Sequence, residues 1–475
     1  MKRKRLAVAG VLALIAVTAV VCLKRPSTRL EQTKAALRAR GEKLSAAEFM
    51  PKPQRPTATL DSLTNLTNEL RVTAVHPSDV APMEMINVGK ARCVWRLADV
   101  DGHDWRDVDS QFQQAEKILR DIRALLATRP RHLGWDYKEL SAEPRVYLIE
   151  RRTAIHWIAG AALNDLHHGR LTNALENLHA LIDATHTYDE HWTFLSQMVR
   201  TAIARFALRV TWEALQAPDW TEAQLLQLQR DWSAVPMFDS MGRTFEGERV
   251  VALEAFQQAR AKHTNSVLNE HGPNLSGYNR FARAIEKKVY PSVWRALWSA
   301  GDESAYVEWS QSHLEAIRRA MQRSNWQELD RELRAIQQRQ PQITTLNDAR
   351  FAVSEAIKPN TWGGLENAMQ TETFRQMIVA AIAIKRFELS NHRPPDSLAS
   401  LVPQFLAQLP IDYMDGKPLR YRLAPDGGWI LYSVGRDGVD DGGVLATADP
   451  SSNSNTNSIE FWSTPDVLWP RPEPR

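Results

Sequence analysis

The chain has 475 residues, 43% of them hydrophobic and 24% charged, with a formal net charge of +3. That balance excludes wholesale disorder and leaves room for two or three packed domains. It also gives nucleic-acid binding no electrostatic footing, and no nucleic-acid partner is expected.

The first five residues, Met1-Lys-Arg-Lys-Arg5, precede Leu6 to Leu23, a run without a charge. As a helix this run spans roughly 27 Å, close to the hydrocarbon thickness of a bilayer. Lys24, Arg25 and Pro26 end it. A cleaved signal peptide needs a small-x-small exit, and Thr18-Ala-Val-Val-Cys22-Leu-Lys provides a poor one. Cys22 raises a lipoprotein alternative, but Val21 stands where a small residue is wanted. The expectation is an uncleaved, single-pass anchor in a bacterial inner membrane. The dense basic N-terminus would stay in the cytoplasm and the bulk of the chain would lie in the periplasm. Cys22 and Cys93 are the only cysteines, so the exported body has no disulfide framework.

Residues 24–109 read as a basic helix or stalk, a linker at Pro51, Pro53 and Pro56, and an irregular region. Val72-Thr-Ala-Val75 and Cys93-Val-Trp95-Arg-Leu97 in that region are short strands or irregular packing. From 110 to 359 the pattern is a helical body. Phe112, Ala115, Ile118, Leu119, Ile122, Leu125 and Leu126 recur at three- and four-residue spacing, up to Pro130. Similar stripes run from Ile155 to Leu166, Thr172 to Ile182, Trp192 to Leu215 and Glu222 to Val235, consistent with stacked helical hairpins without a fixed repeat period. Trp157, Trp212, Trp294, Trp298 and Trp309 are expected as core anchors.

Residues 360–475 change character. Leu365 to Leu389 is a strong helical pattern. Leu419-Arg-Tyr-Arg-Leu423 and Trp429-Ile-Leu-Tyr432, joined by Pro425-Asp-Gly-Gly428, predict a hairpin. Ser451 to Ser458 is a Ser/Asn/Thr-rich insert.

Several quoted elements in this segment carry a resemblance. They are Ala380 to Leu389, His392-Arg-Pro-Pro-Asp-Ser-Leu398, Leu409-Pro-Ile-Asp412, Asp415-Gly-Lys-Pro418, Tyr432-Ser-Val-Gly-Arg-Asp-Gly438, Asp440-Asp-Gly-Gly443 and Asp466-Val-Leu-Trp469. Their order resembles the C-terminal half of type II secretion major pseudopilins. It is also similar to large membrane-anchored planctomycete and verrucomicrobial-type proteins that carry this module after a helical body. The resemblance implies a calcium-binding loop, with carboxylates from Asp437, Asp440, Asp441 and Asp466 and carbonyls from Val434 and Val439. Calcium favours such hard oxygens in a Gly-rich turn. A metal-free Asp/Gly turn closing the hairpin is the other reading of the same residues. The N-terminus departs from the pilin pattern: the fifth residue after Gly10 is Ile15, with no glutamate in the apolar run.

His167, His168, His179, His186 and His191 cluster in sequence near Asp183, Asp189 and Glu190, without the spacing of a zinc motif. Phe245-Glu-Gly-Glu-Arg249 reads as a solvated face or an interhelical pair. The expected whole is mainly α: an N-terminal transmembrane helix, a helical-hairpin body and a small C-terminal α/β module of one helix and an antiparallel hairpin. Its expected role is non-enzymatic, a scaffold or interaction protein for assembly or secretion with a protein partner. The alternative is a membrane-bound extracytoplasmic hydrolase built around the histidines.

Overall fold

The computed structural model describes residues 27–49, 59–73, 105–128, 145–186, 193–261, 290–339, 350–425, 427–443, 462 and 466–468. In chain order the helices are α1 (27–39), α2 (Ala46–Phe49), α3 (Thr59–Thr73), α4 (Trp105–Ala127), α5 (Arg145–His167), α6 (Leu171–His186), α7 (Phe194–Ala214), α8 (Glu222–Ser233) and α9 (Met241–Arg260). There follow α10 (Tyr290–Val293) with a π turn at Trp294–Trp298, α11 (Ser299–Arg323), α12 (Trp326–Gln338), α13 (Ala352–Ile357) and α14 (Trp362–Asn391). A 3-10 turn at Leu398–Leu401 leads to strands β1 (Arg420–Leu423), β2 (Trp429–Ser433) and β3 (Val467–Leu468). The described fold is therefore mainly helical with one small antiparallel sheet, ordered β1-β2-β3. Among the described residues no helix is long and apolar enough to cross a membrane. The Leu6 to Leu23 run, the Cys93 to Leu97 segment and the Ser451 to Ser458 insert lie outside the described residues.

The chain divides into two compact units. The first takes residues 1–53, 242–318 and 331–360. Leu30, Leu37 and Leu44, seven residues apart, recur on α1 and just beyond it, and all are buried. The 27–49 segment is thus folded into this unit, not a free stalk, because every second helical turn presents a leucine to its core. Aromatic side chains fill that core: Phe245 meets Trp309 at 5.8 Å between ring centroids, and Phe256 stacks on Trp294 at 6.2 Å. The π turn at 294–298 widens the backbone and Trp294 points inward, its Nε1 donating to Asp302 Oδ2 at 2.7 Å.

The second unit takes residues 54–241, 319–330 and 361–475. The segment from 360 onward, expected as a module of its own, shares this unit with α3 to α8. The reason is α14, which is buried on nearly all sides and packs on both α7 and α8. A helix buried on nearly every side, with even Glu372 and Arg375 enclosed, belongs to a core. Thr221 caps α8 through a reciprocal box with Gln224, and His392 closes α14 in the left-handed conformation at φ 56. The expected hairpin forms, with Arg420 opposite Tyr432 and Leu423 opposite Trp429. Val72-Thr73, open between strand and irregular packing, ends helix α3 instead. Of the five tryptophans expected in cores, Trp157, Trp212, Trp294 and Trp309 are buried, and Trp298 is half-buried.

Candidate functional site

The turn that follows β2 carries the residues the sequence marks for metal binding, and its geometry begins at Asp412. This carboxylate is fully buried between the 410–418 loop and the end of β2. Its Oδ1 accepts from Met414 N at 3.0 Å and Ser433 Oγ at 2.9 Å. Its Oδ2 accepts from Val434 N at 2.9 Å and lies 3.3 Å from Arg420 Nη1. Burial outweighs these donors and pushes the Asp412 carboxyl up to about 6. Arg420 also binds Asp415, Nη2 to Oδ2 at 2.5 Å, and so ties the loop to β1.

Val434 is buried, while Asp437, Val439, Asp440 and Asp441 are exposed. Asp437 Oδ1 accepts from Val439 N at 3.0 Å, folding the turn on itself. Asp440 Oδ1 accepts from Gly442 N and Tyr432 Oη, each at 3.0 Å, with Arg420 Nε 3.5 Å from its Oδ2. Its slight burial raises the carboxyl, but these donors together hold it below the usual range. On the other side, burial and the Asp440 charge push the Tyr432 hydroxyl up to about 12. Asp466, buried just before β3, accepts from Gly443 N at 2.7 Å and from the Asp441 N–H. Its pKa rises, chiefly through burial and also through the charges of Asp440 and Asp441.

The start of α12, with Asn325 before it, bonds both the 410–418 loop and the turn after β2. Trp326 N donates to Tyr413 O at 2.9 Å, Asn325 Nδ2 to Asp415 O at 2.7 Å and Gln327 Nε2 to Arg436 O at 2.7 Å. Gly438, at φ 72, is where Gln327 comes closest: a Cβ there would lie 2.9 Å from that side chain.

The donor chemistry of the turn suits calcium, since it offers only hard oxygens. The placement assigns most of them elsewhere: Asp440 to Arg420 and Tyr432, Asp466 to main-chain N–H groups. Among the described residues no three His, Cys, Asp or Glu side chains are grouped as a metal ion requires. No protein-family model, curated protein or solved structure matches the chain.

Of the histidines, His167 and His168 meet edge to face at 5.0 Å between ring centroids. His167 stacks on Trp105 at 4.1 Å, His168 Nδ1 lies 2.9 Å from Asn164 O, and His179 Nε2 lies 3.0 Å from Asp231 Oδ2. His186 is buried at the end of α6, and His191, Asp189 and Glu190 lie outside the described residues. Within 245–249 Glu246 makes an interhelical pair with Arg318 at 2.6 Å, and Arg249 pairs with Glu42 of the loop between α1 and α2 at 2.9 Å.

Sequence reasoning quoted Asp412 within a motif but gave it no role, and it passed over the pair Glu372–Arg375. The pair lies inside α14, where Glu372 also accepts from Met237 N at 2.7 Å and Arg375 Nη1 donates to Trp232 O at 2.8 Å. Burial opposes the Glu372 charge, yet Arg375 and these donors hold its carboxyl low. The available signal was slight: Glu372 and Arg375 stand three residues apart, one helical turn, within the stretch from Leu365 to Leu389, which also carries Glu366, Lys385, Arg386 and Glu388.

Proposed function

We propose that this protein is a non-enzymatic scaffold, tethered to a bacterial inner membrane by Leu6 to Leu23, whose extracytoplasmic helical body engages a protein partner. The observation that carries the reading is how the strongest charges are used. Glu42 with Arg249 and Arg318, Glu372 with Arg375 and Met237 N, and Arg386 with Glu222 and Gln229 all join one segment of the chain to another. Charges spent this way fix a shape, as an interaction platform requires, and are costly to disturb. In the same reading the 434–441 turn, by its resemblance to pseudopilins, takes calcium. Asp437 and Asp441 offer exposed carboxylates, and Val434 and Val439 lie in the same turn to offer carbonyls.

The test keeps the chain whole, because α14 is core to its unit and a truncation at 360 would remove it from between α7 and α8. A photo-crosslinking residue is placed at exposed Leu389 or Leu423 and activated in native membranes. One discrete protein adduct is expected; no adduct at either site rejects the scaffold reading. Alkaline carbonate extraction should leave the chain in the membrane pellet, and its release would reject the tether. A chelator should lower Tm in the wild type and leave Asp437→Ala unmoved. An unchanged wild-type Tm would remove calcium from the proposal.

A further inference from the structure

Where the second unit buries guanidinium groups it commonly seats them on carboxylates. Arg375 rests on Glu372, Arg386 on Glu222, and Arg170 on Asp109 and Asp165. Arginines of α7 depart from that pattern: Arg200 donates to the neutral oxygens of Thr185, Ser240 and Pro236, and Arg205 and Arg209 make no carboxylate hydrogen bond among the described residues. Arg205 and Arg209 are four residues apart, so they stand one above the other on a single face of the helix. Both are half-buried. Arg205 Nη1 donates to Asn367 Oδ1 of α14 at 2.6 Å, a neutral partner. Arg209 has no hydrogen-bond or ion-pair partner among the described residues.

The carboxylate beside them does not fill the gap. Glu366 precedes Asn367 in α14 but is held by Arg436, Nε to Oε1 at 2.6 Å, and by Gln370 at 3.3 Å. Burial, and then the Arg209 charge, push the Arg205 guanidinium down to about 10, and burial alone lowers Arg209. Two cations are thus drawn partly out of water, close enough to repel; Glu366, which Arg436 already holds, attracts Arg205, and no carboxylate bonds either guanidinium among the described residues. Such an arrangement costs stability unless an anion completes it.

We propose that Arg205 and Arg209 form a binding site for a doubly charged oxyanion of the phosphate class, with Asn367 fixing the fork of Arg205. A dianion neutralises both guanidinium groups at once, and each planar fork can donate two parallel N–H bonds to oxygens on one phosphorus. The i, i+4 spacing lets both forks close on the same group. The source is either free phosphate or the phosphoryl group of a larger molecule such as a lipid headgroup. This inference does not depend on the scaffold reading above.

The test is calorimetric titration of the full chain in detergent at constant ionic strength, using inorganic phosphate, glycerol 3-phosphate and succinate as separate probes. Saturable phosphate binding is expected, with Tm raised by a few degrees. Arg205→Gln or Arg209→Gln should weaken it at least tenfold, and Arg209→Lys, which keeps the charge and loses the fork, should fall between. Tighter binding of glycerol 3-phosphate than of phosphate would identify a headgroup source, and the reverse a free ion. Succinate binding as tightly as phosphate, unchanged affinity in the glutamine variants, or no saturable heat would each overturn the site. The anion-free protein supplies the folding control. Because Arg209 has no partner among the described residues, Arg209→Gln should melt no lower than the wild type, and a lower Tm would show the charge already satisfied and reject the proposal.

Discussion

Glu42 and Arg249 form a buried ion pair, with Oε2 of the glutamate 2.9 Å from Nη2 of the arginine. The same carboxylate takes Arg318 Nη1 at 2.5 Å and Gln311 Nε2 at 3.2 Å. One carboxylate therefore joins the 27–49 segment to α9 and α11.

Glu42→Gln leaves Arg249 charged, buried and short of its anion, so the loss is large, about 3–5 kcal/mol. Lys117→Ala breaks only the exposed pair with Asp121 and should cost under about 0.5 kcal/mol. Urea melts of the two variants give the comparison. Equal losses would show that the Glu42 network contributes no more than a surface pair.

Asp302 and Glu42 should respond to pH in opposite senses. Burial lifts the Asp302 carboxyl to about 6, despite the Ser354 and Trp294 donors. Between about pH 4 and 6 the folded state holds a proton that the unfolded chain has released, so raising pH through that window costs stability. The stability of the wild type relative to Asp302→Asn should thus fall by up to ~3 kcal/mol from pH 4 to pH 7. Glu42 is buried too, but its Arg318, Arg249 and Gln311 bonds win and hold it at about 2. Its contribution is complete above the ordinary glutamate range and disappears as pH falls toward 2. Thermal melts across pH 4–7 measure the Asp302 difference; a difference that grows with pH contradicts the assignment.

Gly364 lets α14 approach α7. A Cβ at this position would sit 2.2 Å from Phe194 Cζ, inside any allowed contact. Gly364→Ala should destabilise by about 1–3 kcal/mol even though alanine is the better helix former. Adding Phe194→Leu should recover part of the loss. A double-mutant cycle with no coupling would mean that the ring and the glycine do not meet.

The helices from 110 onward were legible because a 3.6-residue period needs only local sequence, and α4 shows it in Phe112, Ala115, Ile118, Leu119 and Ile122, all buried; α3 and the first turn of α4, at Trp105 and Val108, fell in the stretch read as irregular. The hairpin was legible for the same reason, from alternation on either side of Pro425-Asp-Gly-Gly428. What escaped depends on partners far along the chain. Arg249 meets Glu42 across 207 residues, and no window of sequence can show that a charge will be buried by such a neighbour. β3, only two residues long, has no period to detect. At the candidate site the aspartates after β2 were marked by the resemblance of the surrounding motifs to pseudopilins. Asp412, which holds the turn, stood out only as part of a quoted motif, because its donors belong to residues 414, 433 and 434.

That distinction leads to a prediction about the turn itself. Asp412→Ala removes the acceptor of Met414 N, Val434 N and Ser433 Oγ together, in a buried place where water cannot replace it. The expected cost is ~2–4 kcal/mol, since unsatisfied buried donors lose their full hydration. Asp437→Ala removes one bond to an exposed N–H and should cost under about 1 kcal/mol. Hydrogen exchange separates the two variants: Asp412→Ala should speed exchange at Val434 and Met414 by at least tenfold, while Asp437→Ala should change Val439 alone. If Asp412→Ala left Val434 protected, the turn would be held from elsewhere, with the bonds from Asn325, Trp326 and Gln327 the remaining support. Asn325→Ala would then have to release it.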